Sequence, residues 1–172
     1  MGDGAFPHAA AAGLPMLGGD DIHVTSGGVR VRGHFWKADG GGLPVLICPG
    51  FGEFCEKYSP TAAHLHSRGH DVLIIDWPGQ GRSGHLAAND LAMHIDSFED
   101  HLAAMDALVE AAGLATGRIA ILGHSMGGHL ALRLASRYGG RVAGTVALSP
   151  MMVPRPRPVW LVRMLAGVLV LA

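Results

Sequence analysis

The segment Gly123-His124-Ser125-Met126-Gly127 sets a serine between two glycines, after the apolar run "RIAIL" and before the helical pattern "HLALRLASRY". A serine hydroxyl is a weak nucleophile until a base takes its proton and a carboxylate orients that base. The spacing G-x-S-x-G supplies the geometric half of this chemistry. A sharp strand-to-helix turn strains the serine backbone and lifts its oxygen above the sheet, and the flanking glycines let strand and helix approach closely. A chain with 26 glycines meets such a pattern by chance, so the strand before it and the helix after it carry the assignment of Ser125 as a nucleophile. The same turn offers the backbone N–H of Met126, at the positive end of the new helix, to a developing oxyanion. A second donor is expected in "CPGFGEF", where Gly50 and Gly52 flank Phe51 and free its N–H to point inward.

Other chemistry is weaker. Gly79 to Gly84 spell G-x-G-x-x-G after a strand, but no clean helix opens behind them, so this reads as a turn with Asp76 in a structural role. The chain has 11 histidines, yet His64 and His66 diverge on a helix and no metal-ligand spacing occurs; surface positions are expected, with neither metal nor cofactor. His124 diverges from its neighbour at the turn and is assigned to packing. His129, one helical turn beyond the serine, is badly placed to act as its base.

Together "PGFGEFCEKY", "DWPGQGRSG", "GHSMGGHLAL" and "LSPMM" resemble the α/β-hydrolases of the lysophospholipase and monoacylglycerol lipase group, also described as serine aminopeptidase-like, and most of all the bacterial lysophospholipase L2-like members. The resemblance runs from about residue 22 to the C-terminus with motifs in the same order. It departs at Pro49, where many relatives have His, and at Pro78, where Arg is common; neither change removes a catalytic side chain. It implies a carboxylic-ester hydrolase acting on lipid-like substrates through an acyl-enzyme on Ser125, without a metal. In this fold the acid and the histidine follow the serine in the chain. Residues 126–172 contain no Asp or Glu, and His129 is their only histidine. The triad acid and His are therefore expected to be absent from this chain, and the sequence reads as truncated at the start of a cap.

The elements that must position these residues are legible as patterns. "DIHVTS" and "VRVRGHFW" alternate apolar and polar residues around Gly27-Gly28, as an antiparallel hairpin does. Short apolar runs then alternate with helical patterns: "PVLIC", 58–69, "DVLIID", 92–112, "RIAIL", 126–138 and "VAGTVALS". That is how a mostly parallel sheet with helices on both faces reads, and the fold class is α/β. In 92–112 the acids Asp96, Glu99, Asp100, Asp106 and Glu110 fall mostly off the apolar stripe and are expected on a solvated face. The expected organisation is a loose lead-in at 1–19, the N-terminal part of a hydrolase domain at 20–150 and the start of a cap at 151–172.

Composition bounds the rest. The 172 residues are 49% apolar and only 16% charged, which fits one well-packed domain and argues against disorder. A net charge of -1 gives no reason to expect a nucleic acid partner, although all 14 acids lie at or before Glu110. Cys48 and Cys55 form no framework, so reduced thiols and a cytoplasmic location are expected. The apolar stretch "VWLVRMLAGVLVLA" is too short to span a bilayer and includes Arg163. Peripheral membrane contact through 155–172 is the expected alternative role, in which a non-catalytic chain binds a membrane or partner through its Arg-rich end.

Overall fold

The computed structural model describes residues 18–85 and 95–152. The expected lead-in lies outside these residues except for Gly18 and Gly19, and the expected cap segment except for Met151 and Met152. Strands β1 (Asp20–Ser26) and β2 (Val29–Trp36) pair antiparallel across Gly27-Gly28. Both glycines have positive φ, 56° and 77°, the backbone that a two-residue hairpin turn requires. Four further strands follow: β3 (Gly42–Cys48), β4 (His70–Asp76), β5 (Ile119–His124) and β6 (Val142–Leu148). They pair in parallel, while β2 lies antiparallel on β4, in the sheet order β1-β2-β4-β3-β5-β6.

The helices are α1 (Ser59–His66), α2 (Phe98–Ala111) and α3 (Met126–Tyr138). Strand residues alternate between two cores. Leu46, Leu73, Ile75 and Ile121 pack with Leu102, Met105 and Leu108 of α2 and Leu130 and Leu134 of α3. Val45, Ile47, Val72 and Ile74 pack on the other face with Ala62 and Leu65 of α1. The central strands read as unbroken apolar runs because both of their faces are covered. From β3 the chain crosses to β4 on one side and later to β5 on the other, so the loops leaving β3 and β5 diverge and open a crevice at the carboxyl ends of the strands.

Three expectations need correction. The helix expected at 92–112 begins only at Phe98, because Ser97 is extended and closes a capping box with Asp100; positions 92–94 lie outside the described residues. The helix expected at 58–69 is a 3₁₀ turn, Cys55–Tyr58, followed by α1, which stops at His66 before Gly69 turns at φ 84°. The histidines are not all on the surface: His34 and His101 are 5% and 2% exposed. The acids of α2 face outward as expected, but Glu99 meets Arg133 and Arg137 of α3, and Asp106 meets Arg137 and Tyr138.

Beneath the hairpin a buried ion cluster joins distant parts of the chain. The Arg32 guanidinium lies 2.9 Å from carboxylate oxygens of Asp21, Glu56 and Asp76, and the side chains of Glu56 and Asp76 are completely buried. Asp76 also accepts hydrogen bonds from the N–H groups of Cys55 and Arg82, which confirms its structural role. Cys48 and Cys55 are free and buried. Strand β6 is an edge of the described sheet and leaves Val146 and Leu148 exposed. Among the described residues no helix is long and apolar enough to cross a membrane.

Candidate active site

Ser125 occupies the single residue between β5 and α3, at φ 52° and ψ −118°. Besides Ser149 it is the only non-glycine among the described residues with positive φ. A side chain in that region is costly, and the surroundings over-determine it. The Ser125 N–H donates to Leu148 O at the end of β6, and its carbonyl accepts from His129 N–H and Met151 N–H. A serine before a helix ordinarily spends its hydroxyl on capping the first turn, but here no such side-chain bond forms. Ser125 is half-buried, and its hydroxyl is not spent on the cap at the helix's positive end.

The motif glycines perform the packing that the spacing implies. A Cβ on Gly123 would lie 2.2 Å from Gly127 O, and one on Gly127 would lie 1.9 Å from Cys48 O and 2.3 Å from Pro49 O. Their absence lets α3 start directly against the end of β3. This contact brings the turn at Ser125 beside the loop Pro49–Phe54.

That loop is held from three directions. Pro49 O accepts from the indole N–H of Trp77 at 2.8 Å, and Gly52 N–H donates to the amide oxygen of Gln80. The Gly50 N–H donates to Glu53 Oε2 at 2.7 Å. Glu53 also receives Tyr58 O–H, the Lys57 ammonium and His124 Nδ1, the last lying 3.2 and 3.3 Å from its two oxygens. Burial of Glu53 opposes its charge, but the bonds from Lys57, Tyr58, the Gly50 N–H and His124 prevail and hold its carboxyl down at about 2. Since Glu53 is ionised and can only accept, His124 Nδ1 carries the proton in this pair. The expectation that His124 serves packing is thus corrected: its side chain is 43% exposed and turns toward the loop.

Phe51 and Met126, the two expected oxyanion donors, both line one cleft of about 250 Å³, together with Pro78, Gln80, Ile95, Phe98, His101 and Met151. Among the described residues neither of their backbone N–H groups is hydrogen-bonded. The lining is apolar apart from Gln80 and His101. Burial lowers His101 to about 4, so its imidazole is neutral in the cleft wall, against Trp77 and Phe98. His129 sits with its ring 5.3 Å from Phe98 and makes no bond to the Ser125 hydroxyl. The G-x-G-x-x-G segment is a turn folded over its own acid: Arg82 N–H donates to the Asp76 carboxylate, and a Cβ on Gly81 would lie 2.3 Å from that carboxyl carbon. The Asp76 carboxylate thus occupies the hollow of the turn.

The serine turn, its glycines and the Phe51 and Met126 positions stand where the motifs placed them, at one crevice, and Glu53, Tyr58, Gln80 and His101, which the sequence did not single out, also meet there. Glu53, Tyr58 and Gln80 stand inside quoted motifs, which was the available signal. His101 carried none, because its place in the cleft depends on how α2 packs.

A mostly parallel sheet with an antiparallel N-terminal hairpin, helices on both faces and a serine turn at the switch point has the architecture of an α/β-hydrolase. The family described as serine aminopeptidase, S33, matches residues 43–172, and the chain belongs to it. Over 139 residues the chain is 36% identical to Lysophospholipase L2 of Escherichia coli strain K12, covering 80% of this chain and 38% of that protein. Over 156 residues it is 26% identical to the Monoglyceride lipase of Homo sapiens, covering 84% and 47%. The solved structure of a probable hydrolytic enzyme from Pseudomonas aeruginosa PAO1 superposes with a TM-score of 0.65 at 27% identity, covering 77% of this chain and 41% of that one. The chain spans less than half the length of each of these proteins.

Proposed function

We propose that these residues belong to a serine hydrolase of carboxylic esters with lipid-like substrates, of lysophospholipase or monoacylglycerol lipase type. Ser125 attacks the ester carbonyl, the N–H groups of Phe51 and Met126 receive the negative charge that develops on the carbonyl oxygen, and the alcohol leaves as an acyl-enzyme forms. The observation that carries this reading is the strained backbone of Ser125, with its hydroxyl not spent on the cap of α3. Strain of this kind clusters at active sites, where the surrounding hydrogen bonds hold it in place. The apolar cleft beside it suits an acyl chain better than a peptide or a sugar. In this reading the general base and its carboxylate partner are not among the 172 residues, since no Asp or Glu follows Glu110.

The test is covalent labelling of the full-length protein by a fluorophosphonate probe. Modification at Ser125, lost in Ser125→Ala, is expected. A full-length protein that stays unlabelled while folded would overturn the reading.

A further inference from the structure

Glu53 is 9% exposed and takes hydrogen bonds from both sides of the crevice. On one side are the Gly50 N–H, Lys57 and Tyr58, all on or next to the loop after β3. On the other is His124, the residue immediately before Ser125 at the end of β5. A side chain on Gly50 would crowd this arrangement: a Cβ there would lie 2.9 Å from Glu53 Oε2 and 3.2 Å from His124 Nδ1.

We propose that Glu53 is a positioning residue, whose carboxylate clasps the Gly50–Gly52 loop to the nucleophile turn through His124 and so fixes the two backbone donors, Phe51 N–H and Met126 N–H, relative to each other. The two donors stand on separate segments, the loop after β3 and the start of α3, and must converge on one oxygen atom. Gln80 and Trp77 hold the loop to the turn after β4, but Glu53 is the side chain that reaches the nucleophile segment. Ionised, with four donors around it, the carboxylate makes charge-assisted bonds, the stronger kind for holding a loop in place. Lys57 and Tyr58 fill the remaining acceptor positions and keep the carboxylate from turning away.

This inference rests on Ser125 being the nucleophile, and its test separates the two. In the full-length protein, hydrolysis of a short-chain p-nitrophenyl ester is compared for wild type, Ser125→Ala, Glu53→Ala and Glu53→Gln. Exchange of the Gly50 amide proton is followed by NMR in the same proteins. Loss of the clasp should lower kcat by about 100-fold, the size of losing one oxyanion donor, with KM changed little. Glu53→Gln, which can still accept from the Gly50 N–H, should recover at least about tenfold of that loss. Gly50 exchange should accelerate by about tenfold or more in Glu53→Ala, consistent with a broken buried bond. Glu99→Ala, which removes an exposed ion pair with Arg133 and Arg137, should leave kcat and KM at wild-type values. An inactive Ser125→Ala together with wild-type kcat in Glu53→Ala would overturn the clasp and leave the hydrolase reading intact. Equal rates for Ser125→Ala and wild type would instead sink the hydrolase reading, and the Gly50 exchange rate alone would then decide whether Glu53 holds the loop. Should Glu53→Ala fail to fold, Tyr58→Phe removes one donor to the same carboxylate. It should cost severalfold in kcat at unchanged KM, and no change in kcat would count against the clasp.

Discussion

Gly127→Ala separates tertiary packing from local propensity, because the two predict opposite signs. Gly127 is the second residue of α3, where alanine favours the helix by up to about 1 kcal/mol over glycine. If propensity ruled, the variant would be more stable. The added Cβ, however, would lie 1.9 Å from Cys48 O and 2.3 Å from Pro49 O. These are backbone atoms at the end of a central strand and cannot rotate aside. To bring 1.9 Å out to the shortest contact that real Cβ atoms show, α3 and β3 must separate by roughly 1 Å, in an interior packed as densely as a crystal. Overpacking of this kind costs about 1–3 kcal/mol, so after a gain of about 1 kcal/mol in propensity a net loss of up to about 2 kcal/mol is expected. The same retreat moves the Met126 N–H away from the crevice, and a displacement of that size lowers the rate of chemistry at Ser125 by about 100-fold. Urea denaturation read by intrinsic fluorescence gives the first quantity, and the rate of fluorophosphonate labelling gives the second. Gly140→Ala is the control: a Cβ there meets nothing within 4 Å and its φ is not positive, so stability should stay within about 0.5 kcal/mol. A Gly127→Ala protein as stable as wild type and labelled at the same rate would refute the packing account of the motif.

Two further outcomes follow from buried groups. Arg32→Met takes from Glu56 and Asp76, both with fully buried side chains, the cation they share, leaving Glu56 with the half-exposed Arg82, and should cost about 3–5 kcal/mol in urea denaturation; a loss below about 1 kcal/mol would show that the cluster is not held by charge. His101, lowered from 6.5 to about 4 by burial, binds a proton more readily in the unfolded chain, so its stabilising contribution is complete above about pH 6.5 and is lost as pH falls toward 4. His101→Leu should remove a slope of at most about 1.4 kcal/mol per pH unit from that window, and an unchanged pH profile of stability would rule this out.

How much of this was legible in advance can be judged from particular residues. The β2 boundaries and those of α3 were readable because their patterns are long and bounded by turn glycines or by the motif itself. The start of α2 was misplaced because Ile95 extends the apolar periodicity backward, while Ser97 takes the cap and breaks the helix there. His101 was misjudged because a single histidine in an amphipathic stretch gives no sign of whether Trp77 and Phe98 will close over it.

By itself the sequence determined the α/β class, the strand-turn-helix around Ser125 and the two glycines that this turn needs, all local matters of period, turn chemistry and backbone freedom. Only the tertiary structure decided that Cys48 and Pro49 press on Gly127, that Glu53 meets His124 across 71 positions, and that Arg32 is shared by Asp21, Glu56 and Asp76. The physical reason is the strand order. Only when β3 lies between β4 and β5 do the loops leaving β3 and β5 share one crevice. Distances across that crevice depend on the packing of whole layers, which no window of neighbouring residues contains.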